Sequence, residues 1–579
     1  MSGNIEPGTT EPENKEPENI EAESTAPGGT GPGNKDSAGP QPEYDASTSE
    51  TTPDAASGST DETLNALSKK PKGRRNWLLA LIALIVVIAV SAGAWVFSSL
   101  RSTPASTGTV AKSVTIGLKL APTNLDIRNE SGSALDQVLI GNVYQGLVAR
   151  SSENKVVPAI AKSWSKSDDG LTYTFTLNTG MHFSNGDVLD ANDVVWSIRE
   201  LVDKQYTDAD VLSTMKSITA TDDNTVVITL NKPYSALLWA LSGRAGLVFD
   251  KDASYDAKTQ AVGSGPFLLS SFRQGDSITL TADGKYWGSD KAKTQEIIIR
   301  YFADDNAAVN ALKSGDVQVL APITENLAST FSNNDDYVVK AGDDTDKFVL
   351  AFNSKGTSTS DKRVRQAIRY AINNEELIAA RGGSDAALGG PIPSLDPGYE
   401  DLTDLYPYNP TKAKSLLAEA GYSTAKPLTL RFEYANIYGT EIGDQLKSQL
   451  KAVGIDLQVN VVEFSAWLQD VYTNKDYDLS LVDHNESHDF YQWADPEYYY
   501  NYDNPKVQEL YAKALAATSD EEEESLLRQA ARLVSEDAPA DWLFNYRVTT
   551  ARVKGLSGFP VNLNQSLLPL WNVTMRNPA

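Results

Sequence analysis

The chain has 579 residues, of which 41% are hydrophobic, no cysteine, and a formal net charge of −26. Such a composition fills real cores in more than one domain, and the absence of cysteine excludes disulfides, thiolate zinc sites, cysteine nucleophiles and lipid attachment through an N-terminal cysteine. The acidity argues against nucleic acid as a partner, because phosphate backbones are gripped by Lys/Arg stripes and none occurs outside one short cluster.

The charge is unevenly placed. Residues 1–68 carry 14 acidic and 2 basic side chains, hence 12 of the 26 net negative charges. This stretch is rich in Pro, Gly, Glu, Ser and Thr with almost no large apolar residue, so it buries too little surface to offset the entropy of ordering, and disorder is expected. A basic cluster follows (Lys69, Lys70, Lys72, Arg74, Arg75) and completes a cytoplasmic tail over 1–75. It abuts an uncharged apolar run from Trp77 to Leu100. About 20 apolar residues span a bilayer, and the positive flank stays cytoplasmic, so 76–100 reads as a single membrane anchor with the rest of the chain outside. The rival is a signal peptide cleaved near Ala92-Gly93-Ala94. The long segment ahead of it favours an uncleaved anchor. A linker covers 101–112.

Beyond the linker the chain reads as mixed α and β. The runs 113–120, 173–178, 225–230, 277–282 and 296–302 are β-branched with partial alternation, hence strands. Residues 363–380 read as one helix. Residues 410–421 read as another, with Pro410 just inside its start and Gly421 just past its end. The stretch 440–463 reads as helix, Gly454 turn, strand, and 307–320 has the same layout. Further helices are expected at 505–517 and 519–535. A body running from about 114 to the C-terminus with interleaved α/β units exceeds one core, so two lobes are expected.

Catalytic motifs are missing. There is no nucleophile elbow and no P-loop, and Gly263-Ser264-Gly265-Pro266-Phe267 lacks the third glycine and following helix of a dinucleotide fingerprint. The histidines are His182, His484 and His488, and no serine motif accompanies them. One segment, 478–504, is unusual: a strand leading into Asp483, His484, Asn485, Glu486, His488 and Asp489, with Trp493 and a run of tyrosines after them. The tyrosines of this segment are five, Tyr491, Tyr498, Tyr499, Tyr500 and Tyr502. If the strand continues, His484, Glu486 and His488 share one face and offer nickel, zinc or copper a ligand set. The alternatives are a polar loop that orients an organic solute against aromatic walls, and a purely structural loop.

A family resemblance emerges from ordered motifs. Pro158 to Trp164, Asp169-Gly170-Leu171-Thr172-Tyr173-Thr174-Phe175, Phe183, Gly186 and Ala191 to Val194 open the series. The stretches 263–267, 283–288, 311–320, 361–378, 407–422 and 449–459 continue it. Together they resemble the large extracellular solute-binding proteins of the oligopeptide, dipeptide and nickel ABC importers. Asp169-Gly170 is also a hairpin signal in its own right, and Tyr173, Phe175 and Trp164 are expected in the core. The resemblance implies an α/β, two-lobed periplasmic-binding-protein-like (Venus-flytrap) fold, with lobe I over 113–344, lobe II over 345–540 and a return to lobe I over 541–579. It implies a monomer without cofactor that closes over a peptide or similar polar solute and hands it to permease and ATPase subunits without chemistry. Alternatives are a metal-chelate binder and a surface-anchored sensor or hydrolase. Peptide-binding relatives carry a Gly-Trp pair and an amine-binding aspartate after the strand at 477–481. Here Asp483 to Asp489 replace them, leaving Glu486 or Asp489 for a cationic amine.

Overall fold

In the computed structural model, residues 110–423, 425–562 and 567–576 are described. The tail 1–75, the apolar segment 76–100 and most of the linker lie outside them. Among the described residues no helix is long and apolar enough to cross a membrane.

The chain begins with β1 (Ser113–Leu118) and a short hairpin, β2 (Val148–Arg150) and β3 (Val156–Pro158). Next come β4 (Ala161–Lys166), β5 (Thr172–Leu177), β6 (Met215–Asp222) and β7 (Thr225–Leu230), which form a sheet of their own in the order β4-β5-β7-β6. β8 (Phe267–Arg273), β9 (Ser277–Ala282), β10 (Glu296–Tyr301), β11 (Val319–Leu320) and β12 (Tyr337–Gly342) assemble around β1. The chain then crosses to a second large sheet built from β13 (Lys347–Phe352), β14 (Leu428–Ala435), β15 (Ile455–Val462), β16 (Leu479–His484) and β17 (Ala540–Asn545), in the order β15-β14-β16-β13-β17. β18 (Val548–Val553) crosses back and completes the first sheet as β12-β18-β11-β1-β10-β9-β8. All of these belong to one compact unit.

Strand patterning explains the packing. β13 and β17 are buried at every position, as central strands covered on both faces must be. Phe348, Leu350 and Phe352 point into one core, under the helices Lys362–Ala371, Pro410–Glu419 and Glu441–Val453. Val349 and Ala351 point into the other, with Trp493, Trp542, Tyr499 and Tyr500. Tyr173 and Phe175 sit in the core of the four-stranded sheet, with Trp164 packed against it.

Most predicted elements are found at their places, with three differences. Residues 363–380 form two helices, Lys362–Ala371 and Asn374–Ala380. Asn373 caps the second through Glu376 N, and its own N–H goes to Gln449 Oε1, a tertiary contact that periodicity does not carry. The return to the first sheet occurs at 546–547 rather than 541, because β17 pairs with β13. The strand before the histidine-rich segment stops at His484, so the continuation through His488 that would align the two rings does not occur.

The glycines of Gly263-Ser264-Gly265-Pro266-Phe267 have a steric role. A Cβ at Gly263 would fall 1.9 Å from the Val143 carbonyl oxygen, and one at Gly265 would fall 2.5 Å from that of Asn142. The two segments are joined by Gly265 N to Val143 O at 2.9 Å and Phe267 N to Asn142 O at 3.0 Å. Gly263→Ala must push these backbones apart and is expected to destabilise the full chain by about 1–3 kcal/mol, the usual cost of overpacking. A thermal unfolding midpoint equal to that of the unsubstituted chain would refute the close approach.

Candidate functional site

Four stretches of the first lobe face the second: the hairpin β2–β3, the turn at Ala209–Leu212, residues 232–236, and residues 239–245 with the end of the short helix Leu237–Ala240. The second lobe answers with residues 391–397, residues 487–491 and the facing sides of the helices Pro505–Leu515 and Asp520–Asp537. Between them lies a cavity of about 720 Å³, within the range of small-molecule sites. Its aromatic wall includes Tyr234, Trp239, Tyr491 and Tyr511, and its charged groups include Arg150, Asp208, Asp210 and Glu523.

Polar contacts hold the lobes together around this space. Asn154, at the hairpin tip with φ 60°, donates from Nδ2 to Asp396 Oδ1 and Ser487 Oγ, each at 2.9 Å. Ser235 donates its N–H to Leu515 O at 2.9 Å and its hydroxyl to Glu523 Oε1 at 2.8 Å. The His488 imidazole stacks on the Trp239 indole, centroids 3.8 Å apart at 15°, and the Arg150 guanidinium carbon lies 4.3 Å from the same indole. Asp396 gathers the loop further, accepting from Ser487 Oγ at 2.5 Å and His488 N at 2.8 Å.

These bonds assign a proton. The Ser487 hydroxyl gives its only hydrogen to Asp396, so at 2.8 Å it must accept from His488 Nδ1–H. Nδ1 therefore carries a proton. Burial, opposed by Asp396 and aided by the Arg150 and Lys347 charges, lowers the imidazole pKa to about 4, so the ring is neutral near pH 7. Ser487, His488 and Asp396 thus bring together the three residue types of a hydrolytic triad, which the sequence did not suggest, but in the wrong order. The serine donates to the carboxylate directly, and no base is placed to take its proton.

Of the residues singled out in the sequence, His488 and Asp489 line the cavity; Asp483, His484, Asn485, Glu486 and Trp493 do not. Asp483, half-buried, sits near the lobe crossing, its N–H on Tyr438 OH at 3.1 Å. Burial and the neighbouring Asp346 push its carboxyl well above the usual range. His484 Nε2 lies 2.5 Å from Tyr500 OH and 3.1 Å from Tyr499 OH, and burial lowers its pKa to about 3, so it satisfies core phenols. Asn485 is exposed, with its carbonyl 3.4 Å from Thr345 Oγ1. The carbonyl of exposed Glu486 accepts from Lys347 Nζ at 2.9 Å. Trp493 is core, stacked on Tyr500 at 4.3 Å. Asp489 is not available for a ligand amine: it pairs with buried Lys347 at 3.1 Å, although burial pushes its carboxyl up to about 7.

The suggested set of His484, Glu486 and His488 does not form, because the strand ends before it and each ring is held elsewhere. Among the described residues no group of three or more such side chains could hold a metal ion. The residues that build the cavity and were missed, Arg150, Trp239, Asp396 and Glu523, come from remote segments without a motif. A second cavity of about 520 Å³ is lined by the first lobe and the C-terminal segment alone, so lobe closure does not enclose it.

A family model described as bacterial extracellular solute-binding proteins, family 5 Middle, matches residues 155–509. The chain belongs to this family. Among curated relatives of this solute-binding protein, the glutathione-binding protein GsiB of Pectobacterium atrosepticum is 27% identical over 512 residues, covering 84% of this chain and 96% of its own. Among solved structures, the ABC transporter substrate-binding protein CtaP of Listeria monocytogenes superposes with a TM-score of 0.72 at 22% identity, over 81% of this chain and 100% of its own. The periplasmic binding protein DppA of Helicobacter pylori, in complex with the peptide STSA, gives 0.65 at 22%, over 81% and 99%. These likenesses establish the α/β periplasmic-binding-protein fold.

The His488 stack has a pH signature. A histidine whose folded pKa is depressed from 6.5 to about 4 contributes stability that is complete above 6.5 and lost as pH falls toward 4. Groups facing it are Trp239, Asp396, Arg150 and Lys347. His488→Phe keeps a stacking ring without titration. The difference in unfolding midpoint, wild type minus variant, is expected to be constant above pH 6.5 and to shrink steadily below it. A difference flat from pH 7.5 to 4.5 would contradict the assignment.

Proposed function

We propose that this protein, a substrate-binding subunit of the ABC-importer type, captures a peptide-sized polar solute in the cavity between its two lobes and delivers it unaltered to a permease. The observation that carries this is that the walls of the 720 Å³ space come from both lobes. A solute there touches both, so its affinity is greater for the closed arrangement, and binding shifts the population toward it. The aromatic walls supply buried area, and a few polar groups fix orientation. Asp208 and Glu523, whose carboxyls burial pushes above their ordinary values, stand where a solute amine would relieve them. Glutathione-binding and peptide-bound relatives support the peptide class. Capture without chemistry fits the Ser487–Asp396 hydrogen bond, which leaves that hydroxyl unactivated.

The delivery site is placed outside the cell, with the apolar run Trp77–Leu100 serving as the tether in a chain that has no cysteine for a lipid.

The full chain should unfold at higher temperature in the presence of glutathione or the tetrapeptide STSA, because a ligand that binds only the folded state adds about 2.7 kcal/mol at a hundred times its Kd. An unchanged midpoint with both, at millimolar concentration, would contradict peptide capture.

A further inference from the structure

The cavity wall holds a guanidinium withdrawn from water. Arg150 closes β2, and among the described residues it makes no hydrogen bond and no ion pair; its Nε is buried and unsatisfied. Arg128 also lacks a hydrogen bond among the described residues, but it lies outside this cavity, against Trp196, Tyr206 and Phe249; the fully buried arginines are all partnered. Arg244 pairs with Asp136 at 2.6 Å, Arg365 donates to the carbonyls of Ala538, Thr359 and Asp537, and Arg369 donates to those of Ser535 and Gly389. Of the acids whose charge reaches it, Asp136 is committed to Arg244 and Asp396 to Asn154, Ser487 and His488, while Asp208 forms no ion pair with it among the described residues. What Arg150 does have is the Trp239 face at 4.3 Å. A contact of this kind is weaker than the cost of a desolvated, unpaired charge. The stack orients the guanidinium but does not compensate its burial, which pushes the Arg150 pKa down to about 10.

Resting on solute capture as proposed above, we infer that Arg150, seated over the Trp239 ring, is the anchor for a solute carboxylate, and that the protein selects solutes carrying a free carboxylate group. A guanidinium presents paired N–H donors that match a carboxylate bidentately, which an ammonium does not. The position also couples recognition to closure. Trp239 is the ring on which His488 of the second lobe stacks, so an anion at Arg150 sits at the seam where the lobes meet. It compensates the charge only where the surroundings are desolvated, that is, in the closed arrangement.

The test uses the full chain and isothermal titration with two pairs of probes: glutathione against its diethyl ester, and STSA against its C-terminal amide. The free acids are expected to bind at least about tenfold more tightly than their capped forms, as for a charge pair desolvated on binding. In Arg150→Gln that preference is expected to vanish, and in Arg150→Lys to return only in part. Equal affinity of acid and capped probe for the wild type would overturn the anchor while leaving solute capture intact, and so would an undiminished preference in Arg150→Gln. Failure of all four probes to bind would instead overturn peptide capture, and the anchor with it. Because the first comparison uses the wild type alone, a poorly folding variant does not protect the inference.

Discussion

The chain passes between its two large sheets twice, at residues 343–346 and at 546–547, and everything the cavity does depends on those two short crossings lying side by side. Their pairing is fixed by one buried amide. Asn545 donates from Nδ2 to the carbonyls of Asp344 at 3.0 Å and Asp346 at 2.7 Å, and Tyr546 N follows to Asp346 O at 2.9 Å. Buried backbone carbonyls without partners are costly, so Asn545 satisfies two and ties the outgoing crossing to the returning one. Lys347, at the start of β13, extends the same tie to the cavity loop through Thr345 O, Glu486 O and the Asp489 carboxylate. The loop that carries His488 is thereby referenced to the hinge as well as to the opposite lobe.

From that constraint the character of the site follows. Each lobe has its own apolar cores, and the contacts that meet across the cavity are instead mostly polar: an asparagine, two serines, two carboxylates, and one ring stack. Polar contacts of this kind are individually worth about 0.5–1.5 kcal/mol, small enough for a solute's differential affinity to decide between open and closed. An apolar seam would hold the lobes shut with or without a guest. Arg150, in the cavity wall without a hydrogen bond or ion pair among the described residues, marks the place where the guest contributes.

Much of the fold was legible in the residues. The alternating runs at Thr172–Leu177, Thr225–Leu230 and Ser277–Ala282 are strands at those positions, because one face of each is buried and the period of two is imposed by the pleat. The helix–Gly454–strand unit is realised with Gly454 at φ 97°. The apolar run through β17 concealed the return, since nothing in Ala540–Asn545 distinguishes one sheet from the other. Less of the site was legible. The histidine- and tyrosine-rich segment attracted attention by composition, yet Trp493, Tyr499 and Tyr500 are core and His484 serves their hydroxyls. Arg150, Trp239 and Asp396 lie far apart in sequence in segments of ordinary composition, and only the folded chain brings them to one surface. Arginine at the end of an apolar strand was the one local signal, and it is shared by many surface positions.

The central claim is that a guest shuts the space between the lobes. With no native cysteine, one exposed residue on each lobe, Lys216→Cys and Lys513→Cys, takes a spin label without interference, and the distance distribution between the labels reads closure directly. The account predicts a broad distribution without solute that collapses to a single short distance when glutathione or a peptide binds. A distribution unchanged at saturating solute would contradict it.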